Sequence, residues 1–182
     1  MKTLIINGSP RKNGDTAELI RKVKEKLPGE IVQFDCYGSN VNGCVDCRYC
    51  WEHDGCCRKD GWQELERQIQ ESDSILIASP VYFFELTGKL LDVLSRLQSF
   101  WCAKFYRKTE LIPREKTGGI LLVGGGNGNM EHAVETATLL LKDMHCVRIA
   151  PPVICTGTDR IPAGENKKMD GEIRKLTEFL EG

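Results

Sequence analysis

The sequence predicts an α/β fold, a five-stranded parallel sheet covered by helices on both faces as a three-layer sandwich. Two observations carry this expectation. Short β-branched runs alternate with stretches in which apolar residues recur every three or four positions, the pattern of strands joined by crossover helices. The 182 residues also contain no internal repeat, low-complexity tract or linker, so residues 1–182 read as one domain with room for a sizeable core.

The elements follow in order. Thr3 to Asn7 is the first strand, and Leu19, Ile20, Val23 and Leu27 form one face of the helix behind it. Glu30 to Asp35 is the second strand. Trp62, Leu65 and Ile69 mark the next helix and Ser74 to Ser79 the third strand. Leu86, Leu90, Leu94, Leu97 and Trp101 stripe a third helix ahead of the fourth strand, Gly119 to Gly124. Met130, Val134, Ala137, Leu141 and Met144 stripe a fourth. A fifth strand near Val147 to Ile154 and a helix carrying Met169, Ile173, Leu176 and Leu180 complete the chain. These stripes are core positions. One long irregular stretch, Cys36 to Asp60, interrupts the second crossover, and loops of that length inside a compact domain are usually functional or disordered.

Composition excludes several classes. The net charge of -1, with 28% charged residues, gives no electrostatic case for nucleic acid or an anionic membrane as partner. No apolar run approaches the roughly 20 residues of a membrane-spanning helix, and Met1-Lys2 leads directly into a core-like strand. The expected location is cytoplasmic. Nine cysteines are too sparse for a disulfide scaffold and odd in number, so thiols or ligands are expected.

Gly8-Ser9-Pro10-Arg11-Lys12-Asn13-Gly14-Asp15-Thr16 joins the first strand to the first helix. In that position backbone N–H groups converge at the positive end of a helix, and Ser9, Arg11, Asn13 and Thr16 add donors suited to an anion. The closing Gly-Lys-Ser/Thr of a triphosphate loop and the G-x-G-x-x-G of a dinucleotide fold are both missing, so a single terminal phosphate fits better than a pyrophosphate. Five strands with such a loop after the first favour the strand order 2-1-3-4-5, with ligands beyond the strand C-termini. Two more loops belong to that edge: Ser79-Pro80-Val81-Tyr82-Phe83-Phe84, a flat apolar wall, and Gly124-Gly125-Gly126-Asn127-Gly128-Asn129, whose N–H groups can approach a ring closely. A planar, heteroatom-rich ring bearing one phosphate would satisfy all three.

Here the chain resembles the NAD(P)H-dependent FMN reductases and their relatives the iron-sulfur flavoproteins, both flavodoxin-like. The resemblance rests on Asn7 to Thr16, the cysteine segment, Ser79-Pro80-Val81-Tyr82 with Thr87-Gly88-Lys89, and Gly124-Gly125-Gly126. It implies a flavodoxin-like fold and FMN as cofactor, with NAD(P)H as co-substrate. Ser9, Arg11, Asn13 and Thr16 would carry the phosphate. Pro80, Val81, Tyr82 and Phe83 would line the isoalloxazine, and Gly124, Gly125 and Gly126 would approach its pyrimidine side. The flavin supplies the chemistry, so no catalytic side chain is nominated, and His53, His132 and His145 are expected at surface or packing positions. The resemblance further implies a homodimer or homotetramer and a small-molecule electron acceptor or redox protein as partner. One departure is Asp15, where the family often has Asn: a carboxylate near a phosphate repels it unless it turns away, for instance to cap the helix.

Cys44, Cys47, Cys50 and Cys56 fall within thirteen residues, with Cys57 adjoining. Their spacing brings thiolates close enough to share a metal centre. The segment resembles the compact motif by which iron-sulfur flavoproteins hold a 4Fe-4S centre. Plain thiols, a structural zinc site and a reversible disulfide involving Cys56 or Cys57 are the competing readings. At the level of function, an FMN-dependent oxidoreductase reducing flavin, a quinone or another small acceptor stands beside two alternatives. One is an electron carrier containing 4Fe-4S, the other a non-enzymatic redox- or metal-sensing module. A low-molecular-weight phosphatase would need Cys-x5-Arg after the first strand, where no cysteine lies. The basic, aromatic segment around Lys104, Arg107, Lys108, Arg114 and Lys116 reads as a solvated loop, a dinucleotide-docking patch or a subunit contact.

Overall fold

The computed structural model describes residues 1–182. Strand β1 (Lys2–Asn7) lies at the centre, paired in parallel with β2 (Glu30–Asp35) on one side and β3 (Ser74–Tyr82) on the other. Beyond β3 comes β5 (Lys116–Val123), also parallel. The two-residue strand β4 (Glu85–Leu86) turns back antiparallel on the end of β3. The outermost position is shared by β6 (Cys146–Ile149), which pairs with the start of β5, and β7 (Val153–Cys155), which pairs with its end.

Seven strands are therefore present where five are expected: the parallel path runs β2-β1-β3-β5-β6, with β7 also on β5, and matches the expected 2-1-3-4-5 only when the hairpin strand β4 is set aside and β6 and β7 are taken as one position. The fifth strand is real but split at Ala150-Pro151-Pro152, because proline has no N–H to give a ladder. The additional β4 arises because β3 continues through Pro80, Val81 and Tyr82 into a two-residue hairpin.

Adjacent residues of the central strands feed opposite cores. Leu4 and Ile6 of β1, Ile75 and Ile77 of β3, and Ile120 and Leu122 of β5 face one layer, built on α3 (Trp62–Glu71), α4 (Gly88–Leu94) and α6 (Glu131–Asp143). Ile5, Leu76, Ala78, Leu121 and Val123 face the other, built on α1 (Asp15–Lys24) and α7 (Lys167–Glu181). Leu19, Ile20 and Val23 of α1 are at most 2% exposed, and burying such side chains contributes roughly 2 kcal/mol each.

The third apolar stripe is less regular than its spacing implies. Leu86 belongs to β4, and the helical run after it is α4, a 3-10 turn (Ser95–Leu97), α5 (Gln98–Cys102) and a π-helical turn (Ala103–Arg107). Each change of winding rotates the stripe, which leaves Trp101 exposed rather than in the core. Lys116 also departs from expectation. It is buried at the start of β5, its Nζ donating to the Gln70 and Ser72 carbonyls. No helix is long and apolar enough to cross a membrane.

Candidate functional site

The loop after β1 is held by its own short-range bonds. The Ser9 N–H donates to Asn7 Oδ1 at 2.9 Å, and Asn7 Nδ2 in turn donates to Asp35 on β2 at 2.8 Å. The Arg11 N–H donates to Ser9 Oγ at 3.2 Å, which folds the loop over itself. Beyond that point the backbone N–H groups of Lys12 through Ala17 have no protein acceptor, and Gly14, the N-cap, supplies no side chain. The Thr16 hydroxyl, on a residue only 2% exposed, makes no hydrogen bond either. Six consecutive free donors at the N-terminus of a ten-residue helix are an arrangement that can accept an anion, and Arg11 and Asn13 of the same loop are exposed. These residues fit a phosphate.

Asp15 is turned away from that cradle. Its Oδ1 accepts the Ala163 N–H at 2.8 Å, in the turn that precedes α7, and it does not cap α1. Arg11 lies 4.0 Å from its other oxygen, which offsets the charge nearest the loop.

The second loop is tied to the first through Thr87, whose Oγ1 donates to the Gly8 carbonyl at 2.7 Å. Gly8 is required there, since a Cβ would sit 2.9 Å from Leu90 Cδ2 and 3.0 Å from Ser79 Oγ, both buried. Above this junction Pro80 and Val81 continue β3, Tyr82 is 45% exposed and Phe83 stands 98% exposed at the hairpin tip. Phe83 and Phe84 both have left-handed backbones, with φ of 52° and 67°. A tight hairpin demands this conformation, and residues other than Gly and Asn adopt it at a cost of about 1–3 kcal/mol. Two contacts hold it: the Phe84 ring lies over Gly128, and Thr136 Oγ1 of α6 donates to Glu85 at 2.8 Å.

The third loop, Gly124 to Asn129, is braced by a segment the sequence reading left out. The N–H groups of Gly157, Thr158 and Asp159 donate to the carbonyls of Gly126, Gly124 and Gly125. The Asp159 carboxylate fills the space in which a Gly125 side chain would begin. Fixing the carbonyls this way leaves the Gly125 and Gly126 N–H groups without acceptors inside the protein. Ser9, Thr16, Pro80 to Phe83 and Gly124 to Gly126 thus converge at the C-terminal edge of the sheet, where an open α/β sheet takes its ligand. One cavity of about 380 Å³ runs from the first loop itself, at Lys12, Asn13 and Gly14, along α1 to Lys24 and Gln33, while another of about 360 Å³, between Trp101, Phe105, Lys142 and His145, is at the opposite edge.

The cysteine segment, with its one-turn helix α2 (Tyr49–Glu52), packs along the outside of α4 and α5. Ser95 Oγ accepts the Cys44 N–H at 2.8 Å, and the Lys89 ammonium donates to the Val41 carbonyl. From Gly88, beside the first two loops, to Ser95 the helical chain rises only about 10 Å. Asp46 and Arg48 have φ of 48° and 60°, so the chain winds tightly between the cysteines. Cys44, Cys47, Cys50 and Cys56 all line one small pocket, whereas Cys57 does not. Cys57 instead lies outside it with its sulfur 3.5 Å from Cys47 Sγ. The Tyr49 N–H and the Cys57 thiol hold Cys47 below the usual thiol range, while burial pushes Cys50 up to about 12.

No three of these side chains converge on a single ion position. That geometry does not suit zinc, which needs all its ligands on one atom. Thiolates on a polynuclear centre bind different metal atoms and need only surround a common space. The buried Arg96 guanidinium also lines the pocket and lies against the Cys56 side chain. The space the four cysteines share is only about 20 Å³, room for about one water molecule, so a polynuclear centre would require their side chains to move apart. Sequence reasoning missed Thr87 as a joint, the Gly157–Asp159 brace and Arg96, since each acts through contacts distant along the chain.

The chain matches the family described as NADPH-dependent FMN reductase over residues 1–159. An iron-sulfur flavoprotein of Archaeoglobus fulgidus is 28% identical over 145 residues, 78% of this chain and 63% of that protein. An iron-sulfur flavoprotein of Methanocaldococcus jannaschii is 31% identical over 141 residues, 75% of this chain and 68% of that protein. The matches thus span about two thirds of the length of these relatives. An NAD(P)H:quinone oxidoreductase from Methanothermobacter marburgensis superposes with a TM-score of 0.74 at 16% identity, over 100% of this chain and 98% of that one. At that identity the superposition establishes a shared fold.

Proposed function

The chain belongs to the NADPH-dependent FMN reductase family, and from that membership we propose that it binds FMN in the three loops and passes electrons from NAD(P)H to a small acceptor such as a flavin or quinone. The observation that carries this reading is the run of unpartnered N–H groups from Lys12 to Ala17, joined by the free Thr16 hydroxyl. These groups hold the phosphate, with Arg11 and Asn13 closing over it. Ser9 keeps the loop folded.

Pro80, Val81, Tyr82 and Phe83 supply one wall for the ring, and Gly125 and Gly126 present N–H groups to its pyrimidine side. When bound, FMN supplies hydride acceptance from a nicotinamide and one- or two-electron release. The protein contributes orientation and donors where negative charge gathers on reduction, so no acid or base side chain is needed. Phe83, exposed at the hairpin tip, is placed to meet a second subunit or an incoming substrate. Titration with FMN, read by quenching of flavin fluorescence, tests the site. Arg11→Ala and Thr16→Val are expected to weaken binding about tenfold each, near 1.4 kcal/mol. Unchanged affinity in both would remove the phosphate assignment.

A second reading is supported by the spacing of the four cysteines and by the iron-sulfur flavoproteins to which the chain is similar: an electron carrier in which Cys44, Cys47, Cys50 and Cys56 hold a 4Fe-4S centre that exchanges single electrons with the flavin. Visible spectra with iron and acid-labile sulfide analysis on protein purified without oxygen separate the readings. Flavin bands alone, bleached by NADPH, support the reductase. A broad shoulder with about four irons per chain supports the carrier.

A further inference from the structure

The stretch between Asn42 and Asp60 is a loop whose neck is clamped. The Asn42 N–H donates to Asp60 Oδ2 at 3.5 Å, and the buried Arg96 guanidinium bridges the Asn42 carbonyl at 2.8 Å and the same carboxylate at 3.0 Å. One residue further in, an Arg58 guanidinium nitrogen donates to the Gly43 carbonyl at 3.2 Å. These bonds hold the entering and leaving chain side by side. Cys57 is the residue directly inside the clamp. Cys47 stands across from it, between the left-handed backbones of Asp46 and Arg48. The two sulfurs are 3.5 Å apart although ten positions separate them in sequence, and both residues are exposed.

The neighbouring thiols lack that combination of contact and access. Cys44 Sγ accepts the Asp46 N–H at 3.4 Å, and Cys56 lies against Arg96. Cys50 Sγ donates to the Gln98 carbonyl at 3.9 Å. The other thiol that Cys50 meets, Cys102, is 0% exposed and closed to any reagent in water. Cys56 and Cys57 are consecutive, and Cα atoms across one trans peptide are about 3.8 Å apart, shorter than the roughly 4.4 Å at which ordinary disulfides begin.

We propose that Cys47 and Cys57 are a redox-active thiol pair that closes to a disulfide, with a low-molecular-weight disulfide as the oxidant. One thiol attacks the reagent R–S–S–R, forming a mixed disulfide and releasing R–SH. The second thiol displaces the remaining half as another R–SH. The Cys47–Cys57 bond forms, the reagent's S–S bond breaks, two electrons pass to the reagent, and both cysteine protons leave on the two R–SH. The sulfurs have only to close from 3.5 Å to about 2.05 Å. Because the neck already holds the chain ends together, closing the loop costs little further entropy. An exposed disulfide of this kind is also open to attack by a small dithiol, which makes the step reversible. The inference requires neither a bound flavin nor a metal. While the bond stands, Cys47 has no free sulfur to offer the pocket it shares with Cys44, Cys50 and Cys56.

The test incubates the reduced chain, purified without oxygen, with oxidised glutathione, blocks the remaining thiols by alkylation and reads the product by mass spectrometry. Trypsin cuts after Arg48 and Arg58, which places Cys47 and Cys57 on different peptides, and fragmentation then locates the joined sulfurs. The parent should yield a product two hydrogens lighter in which Cys47 is linked to Cys57, and dithiothreitol should reverse it. Cys56→Ser should form the same link. Cys47→Ser and Cys57→Ser should not, and the thiol left behind should stop as its glutathione adduct. The parent's linked peptide decides by itself should a variant fail to fold. Unmodified thiols or separate glutathione adducts at Cys47 and Cys57 of the parent overturn the inference, as does a dominant link through Cys50 or Cys56. A parent that carries iron and sulfide as purified and forms no link overturns it too.

Discussion

The Asp15 carboxylate accepts the Ala163 N–H at 2.8 Å, joining the start of α1 to the turn that precedes α7. The bond resolves the conflict posed by an acidic residue in a loop we propose to bind a phosphate: the carboxylate holds the Ala163 N–H instead of facing the loop's free N–H groups. Asp15→Asn keeps an acceptor oxygen and removes a negative charge, so FMN binding should tighten several-fold, most visibly at low salt. Asp15→Ala should also cost about 1 kcal/mol of stability in urea, because the Ala163 N–H loses its partner.

Thr87 controls how the first two loops meet. Thr87→Val keeps the volume but strips the donor from the Gly8 carbonyl, a buried acceptor. A loss of about 1–3 kcal/mol in urea unfolding is expected, together with weaker FMN binding. Gly8→Ala attacks the same joint by crowding Leu90 and Ser79, and a similar loss is expected from overpacking.

Lys116 gives a pH dependence. Burial holds its ammonium below the ordinary 10.5. Between the lowered value and 10.5 the unfolded chain binds more protons than the folded one, so stability rises with pH across that window. The penalty is fully present below the lowered value and is relieved toward 10.5. Comparing urea midpoints of the parent and Lys116→Met from neutral to alkaline pH checks this: the parent should gain on the variant as pH rises. A constant difference would mean that the lysine is charged throughout.

The two adjoining cysteines should behave differently. Cys56 lines the pocket and Cys57 does not, so Cys56→Ser should lose iron on anaerobic reconstitution while Cys57→Ser retains it. Cys50→Ala should lose iron and keep FMN. Iron, sulfide and flavin counts on the three variants suffice.

Much of this architecture is legible in the sequence because it is written locally. The β-branched runs from Thr3, Glu30 and Ser74 identify their strands, and Gly8 to Thr16 marks the turn from the first strand to the first helix, where the backbone N–H groups from Lys12 on are left free. The split at Pro151-Pro152 is visible in retrospect, for two prolines cannot sit inside a ladder. Less legible is anything made by residues far apart in the chain. Arg96 and Asp60 read as ordinary charges until the fold buries them together, and Asp159 enters the glycine loop only because β7 ends beside β5. Trp101 misleads because helical spacing says nothing about a run that changes its winding.

The broken outer strand has a consequence for how this protein associates with others. The edge beyond β5 offers only four residues, then three, with two prolines between them that have no N–H to donate. The far edge, β2, is bracketed by the carboxylates of Glu30 and Asp35. An incoming strand finds little to template on at one margin and charge at the ends of the other, which is how soluble proteins avoid fibre-like growth. Growth of the sheet by strand addition is thereby disfavoured at both margins.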